Sequence, residues 1–293
     1  MKLRDFLLLV AVCLLWATNN ILSKLAISHW HVPPLFYTAV RFAIVTSVTL
    51  PWLLPMPRPA WRTVIIGLAM GAGSFGLMFV ALRWTSPSEA AVVVQSSVPM
   101  TTLLSVWLLG ERIHWRRGLG IGVALAGVLI VVWQPGFKVS AGMGFLLAAA
   151  FAGSIGAVLM KQMDDIAPLR FQAWVGLTGL VLLTPLTLTL EPGAWEAARA
   201  AGWYFIGAVV WSALIVSVFA HSAYYLLIGR YEANLISPLT LMTPIVTIAL
   251  GVAITGDHFD ARMAVGSTVA LLGVLLVALR RTSAPIAAAQ ERS

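Results

Sequence analysis

The chain has 293 residues, 60% of them hydrophobic and only 10% charged, where a soluble domain carries about 45–50% apolar and about 25% charged residues. So little charge cannot coat a soluble protein of this size, which excludes a soluble enzyme, a disordered chain and a disulfide scaffold. The net charge of +8 comes from basic residues in short loops between apolar runs, with no aromatic-interleaved basic patch, so no nucleic-acid partner is expected.

Ten apolar segments are predicted as helices, at 6–27, 35–55, 62–82, 88–109, 117–134, 141–161, 168–190, 202–226, 234–254 and 262–280. A membrane-crossing helix needs about 20 such residues. Pro, Gly and charged residues punctuate the runs, as at Pro33-Pro34, Ser86-Pro87, Gly110-Glu111 and Gly256-Asp257. The first segment follows Lys2 and Arg4, lacks a small-residue cleavage site and continues through Asn19 and Asn20, so it reads as a spanning helix and not a removed leader. The single Cys13 lies inside it, which rules out an intrachain disulfide.

On this first helix Trp16, Asn19, Asn20 and Ser23 fall at i, i+3, i+4 and i+7, on one face. Polar residues in hydrocarbon are costly. The face is either a wall of a substrate cavity or a set of interhelical hydrogen bonds. Lys24 is expected to snorkel outward, with Lys161 as its later counterpart. Arg41 lies about two turns into the second helix, either as a gate or anion contact or reaching the outer interface. Gly67, Gly71, Gly118, Gly122 and Ala126 form small-residue faces for helix packing or a homodimer contact.

The fourth helix carries a stripe of Gln95, Pro99 and Thr102, matched in the ninth by Thr240, Pro244 and Thr247. A mid-helix proline cannot donate to the carbonyl four residues back. Pro99 and Pro244 are therefore expected to free the carbonyls of Gln95 and Thr240, which either line a wet cavity or find a nearby Ser or Thr hydroxyl. In the eighth helix His221 precedes Tyr224 and Tyr225 at i+3 and i+4. The histidine is expected to donate a hydrogen bond across helices or to titrate in a cavity. The tyrosines offer apolar faces with a hydroxyl handle. Glu111 and Asp257 are expected to finish the fourth and ninth helices.

With the N-terminus inside, 13 of the 19 Lys and Arg fall on the inner side, five fall on the outer side, and Arg41 lies within a helix. This bias predicts both termini in the cytoplasm. Trp30, Trp52, Trp61, Trp115, Trp133 and Trp203 fall near segment ends, as an interfacial belt requires.

The chain also repeats itself. At a shift of 145 Pro99 meets Pro244, and at 146 Gly110-Glu111 meets Gly256-Asp257, Gly120 meets Gly266 and Gly127 meets Gly273. The run GIGVALAGVLIVV (120–132) answers GSTVALLGVLLVA (266–278). Five helices per half is odd, so the halves have opposite orientations, the inverted-repeat architecture of many secondary transporters. The fold expected is all-α and integral to the membrane, with ten transmembrane helices in two inverted five-helix repeats. The repeats are placed at 1–137 and 138–282, with a cytoplasmic tail at 283–293.

Pro99, Leu108-Leu109-Gly110-Glu111, Gly120 and Gly127-Val128, together with the opening LLWATNNILSK (14–24), resemble the EamA family of the drug/metabolite transporter superfamily. The second half departs from that pattern, with Asp257 in place of Glu and Gly153 at the position of Trp16. The resemblance implies an exporter of small metabolites in the inner membrane, with some relatives exporting aromatic or apolar amino acids. The inverted-repeat architecture implies alternating access around a midplane site. The candidate substrate-binding residues are Trp16, Asn19, Asn20, Ser23, Gln95, Pro99, Thr102, His221, Tyr224, Tyr225, Thr240 and Pro244. The partners expected are a small-molecule substrate, membrane lipid and a second copy of the chain.

No metal or cofactor motif is present. AGSFG (72–76) and AGSIG (152–156) lack the first glycine of a serine elbow, so no enzyme is expected. A passive channel and an intramembrane hydrolase built on Ser74 or Ser154 with His221 are the alternatives from other classes. All 11 acids fall in loops, the tail or the first turn of a segment. Transport is therefore expected to be uncoupled from protons, or coupled through His221 alone.

Overall fold

The computed structural model describes residues 1–110, 115–133, 140–163, 166–231, 236 and 239–278, and the regular elements among them are helices. The sequence positions Glu111, Arg112, Lys138, Asp164, Asp165, Glu232, Arg280, Arg281, Glu291 and Arg292, and with them the tail 283–293, lie outside the described residues.

Among the described residues seven helices are long and apolar enough to cross a membrane: α1 (Leu3–His29), α2 (Pro34–Trp52), α3 (Ala60–Ala81), α4 (Pro87–Leu109), α6 (Ala141–Met160), α7 (Pro168–Leu190) and α8 (Ala194–Leu227). Between and after them lie α5 (Trp115–Val132) and α10 (Ala261–Ala278), with α9 (Met242–Thr255) between α8 and α10. These three have shorter apolar stretches. Among the described residues seven spans are thus present by length and composition, where ten apolar segments are expected over the whole chain. Within the described part of the ninth segment the chain turns at Thr240-Leu241 before α9 begins at Met242.

Local chemistry sets the ends. Pro34, Pro87 and Pro168 open α2, α4 and α7, where a missing N–H costs nothing. Ser86 and Glu89 close a reciprocal capping box on α4. Gly110 and Gly256, paired in the repeat, end α4 and α9 with φ of +66° and +67°, a conformation other residues resist. The eighth segment starts where expected, with a short helix added ahead of it. Gly202, with φ +56° and ψ −132°, breaks α8, so that the residues from Ala194 form a separate short helix ahead of the apolar run.

The helices pack through small residues, the usual route in lipid. Gly67 and Gly71 of α3 lie against Trp174, Val175 and Thr178 of α7, and Gly176 and Gly179 of α7 lie against Thr46 and Phe42 of α2. The α5–α10 crossing is reciprocal. Gly127 meets the backbone of Gly266 and Ala270, while Gly273 meets the backbone of Ala124. The second small-residue face of α5 behaves differently. Gly118 and Gly122 have nothing within 4 Å of a built Cβ, and with Ala126 they face outward.

Carboxylates tie the ends of different helices together. Glu191, after α7, accepts from the backbone N–H groups of Leu35 and Phe36 at 3.1 and 2.8 Å, at the start of α2, and pairs with Arg83 at 3.4 Å. Asp257, after α9, accepts from the N–H of Ser88 at 2.9 Å and from the hydroxyls of Ser88 and Thr255 at 2.5 and 2.6 Å. A carboxylate at the first turn of α4 also meets the positive end of the helix dipole. Asp257→Ala is expected to leave these donors without an acceptor, at about 1–3 kcal/mol for an orphaned buried group. Thermal unfolding in detergent checks this, with the exposed Glu196→Ala expected to stay within about 0.5 kcal/mol of wild type.

Candidate functional site

A cavity of about 190 Å³ opens between α1, α3, α4 and α9. Trp16 and Asn20 form its α1 wall and Met78 its α3 wall. Ala90, Ala91, Val94 and Gln95 come from α4. Thr240, Thr243 and Pro244 come from α9 and the turn leading into it. The lining mixes apolar surface with amide and hydroxyl groups, and it draws on both halves of the chain.

Backbone irregularity places several of these groups. Ahead of Pro99, α4 tightens into a 3₁₀ turn at Val94–Ser96, the turn that carries Gln95 into the cavity wall. On the other side Thr243 donates its N–H to the Thr240 carbonyl at 2.9 Å. The expected free carbonyl at Thr240 is thus taken up by a tighter turn, because the residue before the proline still carries an N–H that can bond three residues back.

Of the sequence-predicted residues, Trp16, Asn20, Gln95, Thr240 and Pro244 meet at the cavity. Asn20 also donates to the Thr247 hydroxyl at 3.4 Å, joining α1 to α9. Asn19 and Ser23 are buried beside this wall, and the Asn19 Oδ1 has no partner among the described residues. Pro99 and Thr102 are buried in α4, where the Thr102 hydroxyl donates to the Val98 carbonyl at 3.1 Å.

His221, Tyr224 and Tyr225 stand behind the cavity in an aromatic cluster. The Trp16 ring lies 5.2 Å from His221 and 5.0 Å from Tyr224, and Tyr225 packs on Phe171 at 5.3 Å. His221 does not bond across helices as expected. Its Nδ1 meets the Val216 carbonyl of its own helix at 2.7 Å, reachable because α8 runs as a wider π-type coil over Trp211–Ala220. A carbonyl only accepts, so Nδ1 carries the proton.

The two basic residues also depart from expectation. Lys24 does not snorkel outward. It is half-buried, and its Nζ donates to the carbonyls of Leu82 and Thr85 at 2.7 and 2.8 Å, closing the end of α3. Arg41 does not reach the interface. It is only 1% exposed, packed among Phe42, Phe75 and Phe79.

Sequence reasoning missed Thr243 and the apolar Met78, Ala90, Ala91 and Val94, since an apolar lining residue carries no pattern that separates it from packing. The repeat partly explains why the cavity sits on the α1 side. Where α1 has Trp16, the matching helix α6 has Gly153, and α3 approaches so closely there that a Cβ would lie 3.0 Å from the Ser74 hydroxyl. The serine of the second elbow-like motif, Ser154, donates to the carbonyls of Ser97 and Ala150 at 3.0 and 2.7 Å.

Comparison with known proteins adds three findings. A family profile described as "EamA-like transporter family" matches residues 4–133 and again residues 140–279. The chain is 23% identical to a "Probable amino-acid metabolite efflux pump" of Salmonella typhimurium, across 94% of this chain and 95% of that one. It is 24% identical to a protein of the same name from Escherichia coli, with the same coverage of each. It is also 25% identical to the "Uncharacterized inner membrane transporter YedA" of Escherichia coli, over 92% of this chain and 89% of that one. A crystal structure with 22% sequence identity shares the fold at a TM-score of 0.65, covering 95% of this chain and 99% of its own.

Proposed function

The chain belongs to the EamA-like transporter family, and on that premise we propose that it exports small metabolites across the inner membrane, amino acids with apolar or aromatic side chains foremost. It is a multi-pass membrane transporter and not an enzyme. The observation that carries the finer reading is the cavity, with walls from both halves of the chain. Its volume of about 190 Å³ falls below the roughly 300–1,000 Å³ of drug-sized sites, which suits a small metabolite. Trp16, Met78, Ala90, Ala91 and Val94 offer apolar contact. Asn20, Gln95 and the Thr240 and Thr243 hydroxyls offer hydrogen bonds to an ammonium or carboxylate group. The names of the bacterial efflux relatives favour the same substrate class.

In this reading all ten segments cross the bilayer as two inverted five-helix repeats, with both termini in the cytoplasm. Alternating access then works by rocking one half against the other around the cavity. The acids at Asp5, Glu89, Glu191, Glu196, Asp257 and Asp260 sit at or beside helix ends, away from the midplane where proton relays hold Asp or Glu. Export is therefore taken to run down the substrate gradient without proton coupling.

Counterflow of labelled leucine and phenylalanine in proteoliposomes tests the proposal. Saturable counterflow is expected, with no accumulation above equilibrium when a pH gradient is imposed. Asn20→Leu and Gln95→Leu should each weaken apparent affinity roughly 2- to 10-fold, since a polar contact contributes about 0.5–1.5 kcal/mol. Non-saturable flux would mark a channel, and gradient-driven accumulation would refute the uncoupled reading.

A further inference from the structure

The largest of the fully buried side chains belongs to Arg41. Its Nε donates to the Ser217 hydroxyl at 2.8 Å, and that hydroxyl donates in turn to the Ser212 carbonyl at 2.9 Å. Its Nη1 is buried without a hydrogen-bond partner among the described residues. Among the described residues no carboxylate pairs with it. What surrounds the guanidinium is aromatic, with its Cζ 4.4 Å from the Phe75 ring centre, 5.4 Å from that of Phe79 and 5.8 Å from that of Phe42.

A buried cation facing rings and one hydroxyl is poorly compensated. Cation–π contact offsets only part of the loss of water. A packing role would be met at lower cost by an apolar side chain of similar length. Arginine fits a site that receives a negative charge, because its planar fork binds a carboxylate through two parallel hydrogen bonds.

The position supports this. Phe75 lies 5.7 Å from His221, and His221 lies 5.2 Å from Trp16, the cavity wall. Phe75 and His221 thus form a chain of ring contacts from the guanidinium to the cavity wall. Both are carried by irregular helix. Phe75 lies in the π-type stretch Ala69–Gly76 of α3, and His221 directly follows the π-type stretch Trp211–Ala220 of α8, which also holds Ser217. Wide turns of this kind are frequent at functional sites.

We propose that Arg41 is the anion-recognition residue of the transport site and binds the carboxylate of the substrate once the Phe75–His221 contact parts. The proposal rests on the cavity being the transport site. It narrows the substrate class to compounds that carry a carboxylate beside a small apolar group.

The test uses three probes of similar size on the purified full-length protein: leucine, 4-methylpentanoate, which lacks the ammonium, and leucinamide, which lacks the carboxylate. Ligand-induced thermal stabilisation gives a dissociation constant for each. Wild type should bind leucine and 4-methylpentanoate in clear preference to leucinamide. Arg41→Met should weaken the two carboxylates about 10- to 100-fold, the scale of a hydrogen bond to a charged group, and leave leucinamide unchanged. Arg41→Lys, which keeps the charge but not the fork, should retain part of the preference.

Equal binding of leucine and leucinamide by wild type would overturn the proposal while leaving amino-acid transport standing. A preference that survives Arg41→Met would overturn it too, as would equal loss of all three probes, which marks a packing role. Arg41-dependent binding of 4-methylpentanoate without binding of leucine would uphold the proposal and remove the amino-acid reading.

Discussion

Gly127→Ala is expected to destabilise the protein by more than the roughly 1–3 kcal/mol typical of an overpacked core. A flexible side chain yields to an added methyl, but here the obstacles are the Ala270 nitrogen and Cα and the Gly266 carbonyl, all backbone. Relief requires α5 and α10 to move apart along the crossing, which loosens the fit of Gly120 against Leu276 and Val277 and of Gly266 against Val131 as well. Gly273→Ala, which meets the backbone of Ala124, should behave alike. Gly122→Ala is the contrast. It has nothing within 4 Å and gains helix propensity of about 1 kcal/mol over glycine. Thermal unfolding in detergent, with size-exclusion profiles of the expressed variants, reads the difference. Equal melting temperatures for Gly127→Ala and Gly122→Ala would show that the helices do not approach this closely.

Ala91→Phe is expected to reduce transport to the level of protein-free liposomes while the protein remains folded. Ala91 lines the cavity from α4, opposite Trp16 and Asn20. A phenyl ring there takes up the space a substrate would occupy. It grows into the open volume, so the overpacking cost at a filled position does not arise. Melting temperature and size-exclusion behaviour should match wild type. If Ala91→Phe carries leucine with an unchanged concentration dependence, the cavity is not the transport site and the proposed function loses its main support.

Much of the fold was legible because lipid leaves a chain few options. Backbone groups must be satisfied within each segment, so apolar runs become helices, and Pro and Gly mark where they end. Gly110 and Gly256 read correctly as repeat-paired helix ends, since both take the left-handed φ that glycine allows. The repeat also pointed to Gly127 and Gly273, each of which meets the backbone of the other helix at the α5–α10 crossing. Part of the site was legible for a similar reason. Trp16, Asn20, Gln95, Thr240 and Pro244 stood out as polar, aromatic or helix-breaking groups in apolar helices, where each costs something to keep.

The rest depended on neighbours distant in sequence. Whether Arg41 snorkels or stays inside depends on three phenylalanines from α2 and α3 and a serine from α8. Lys24 turns inward because the end of α3 presents two carbonyls within its reach. His221 bonds its own helix because the wide turn in α8 brings the Val216 carbonyl to it, and no periodicity in the sequence announces that turn. Composition and repeat are properties of single segments and their spacing, so the sequence alone determined a membrane-embedded bundle of helices and its punctuation. The destination of each polar group depends on which acceptor or ring another helix brings near it, and only the tertiary structure decided that.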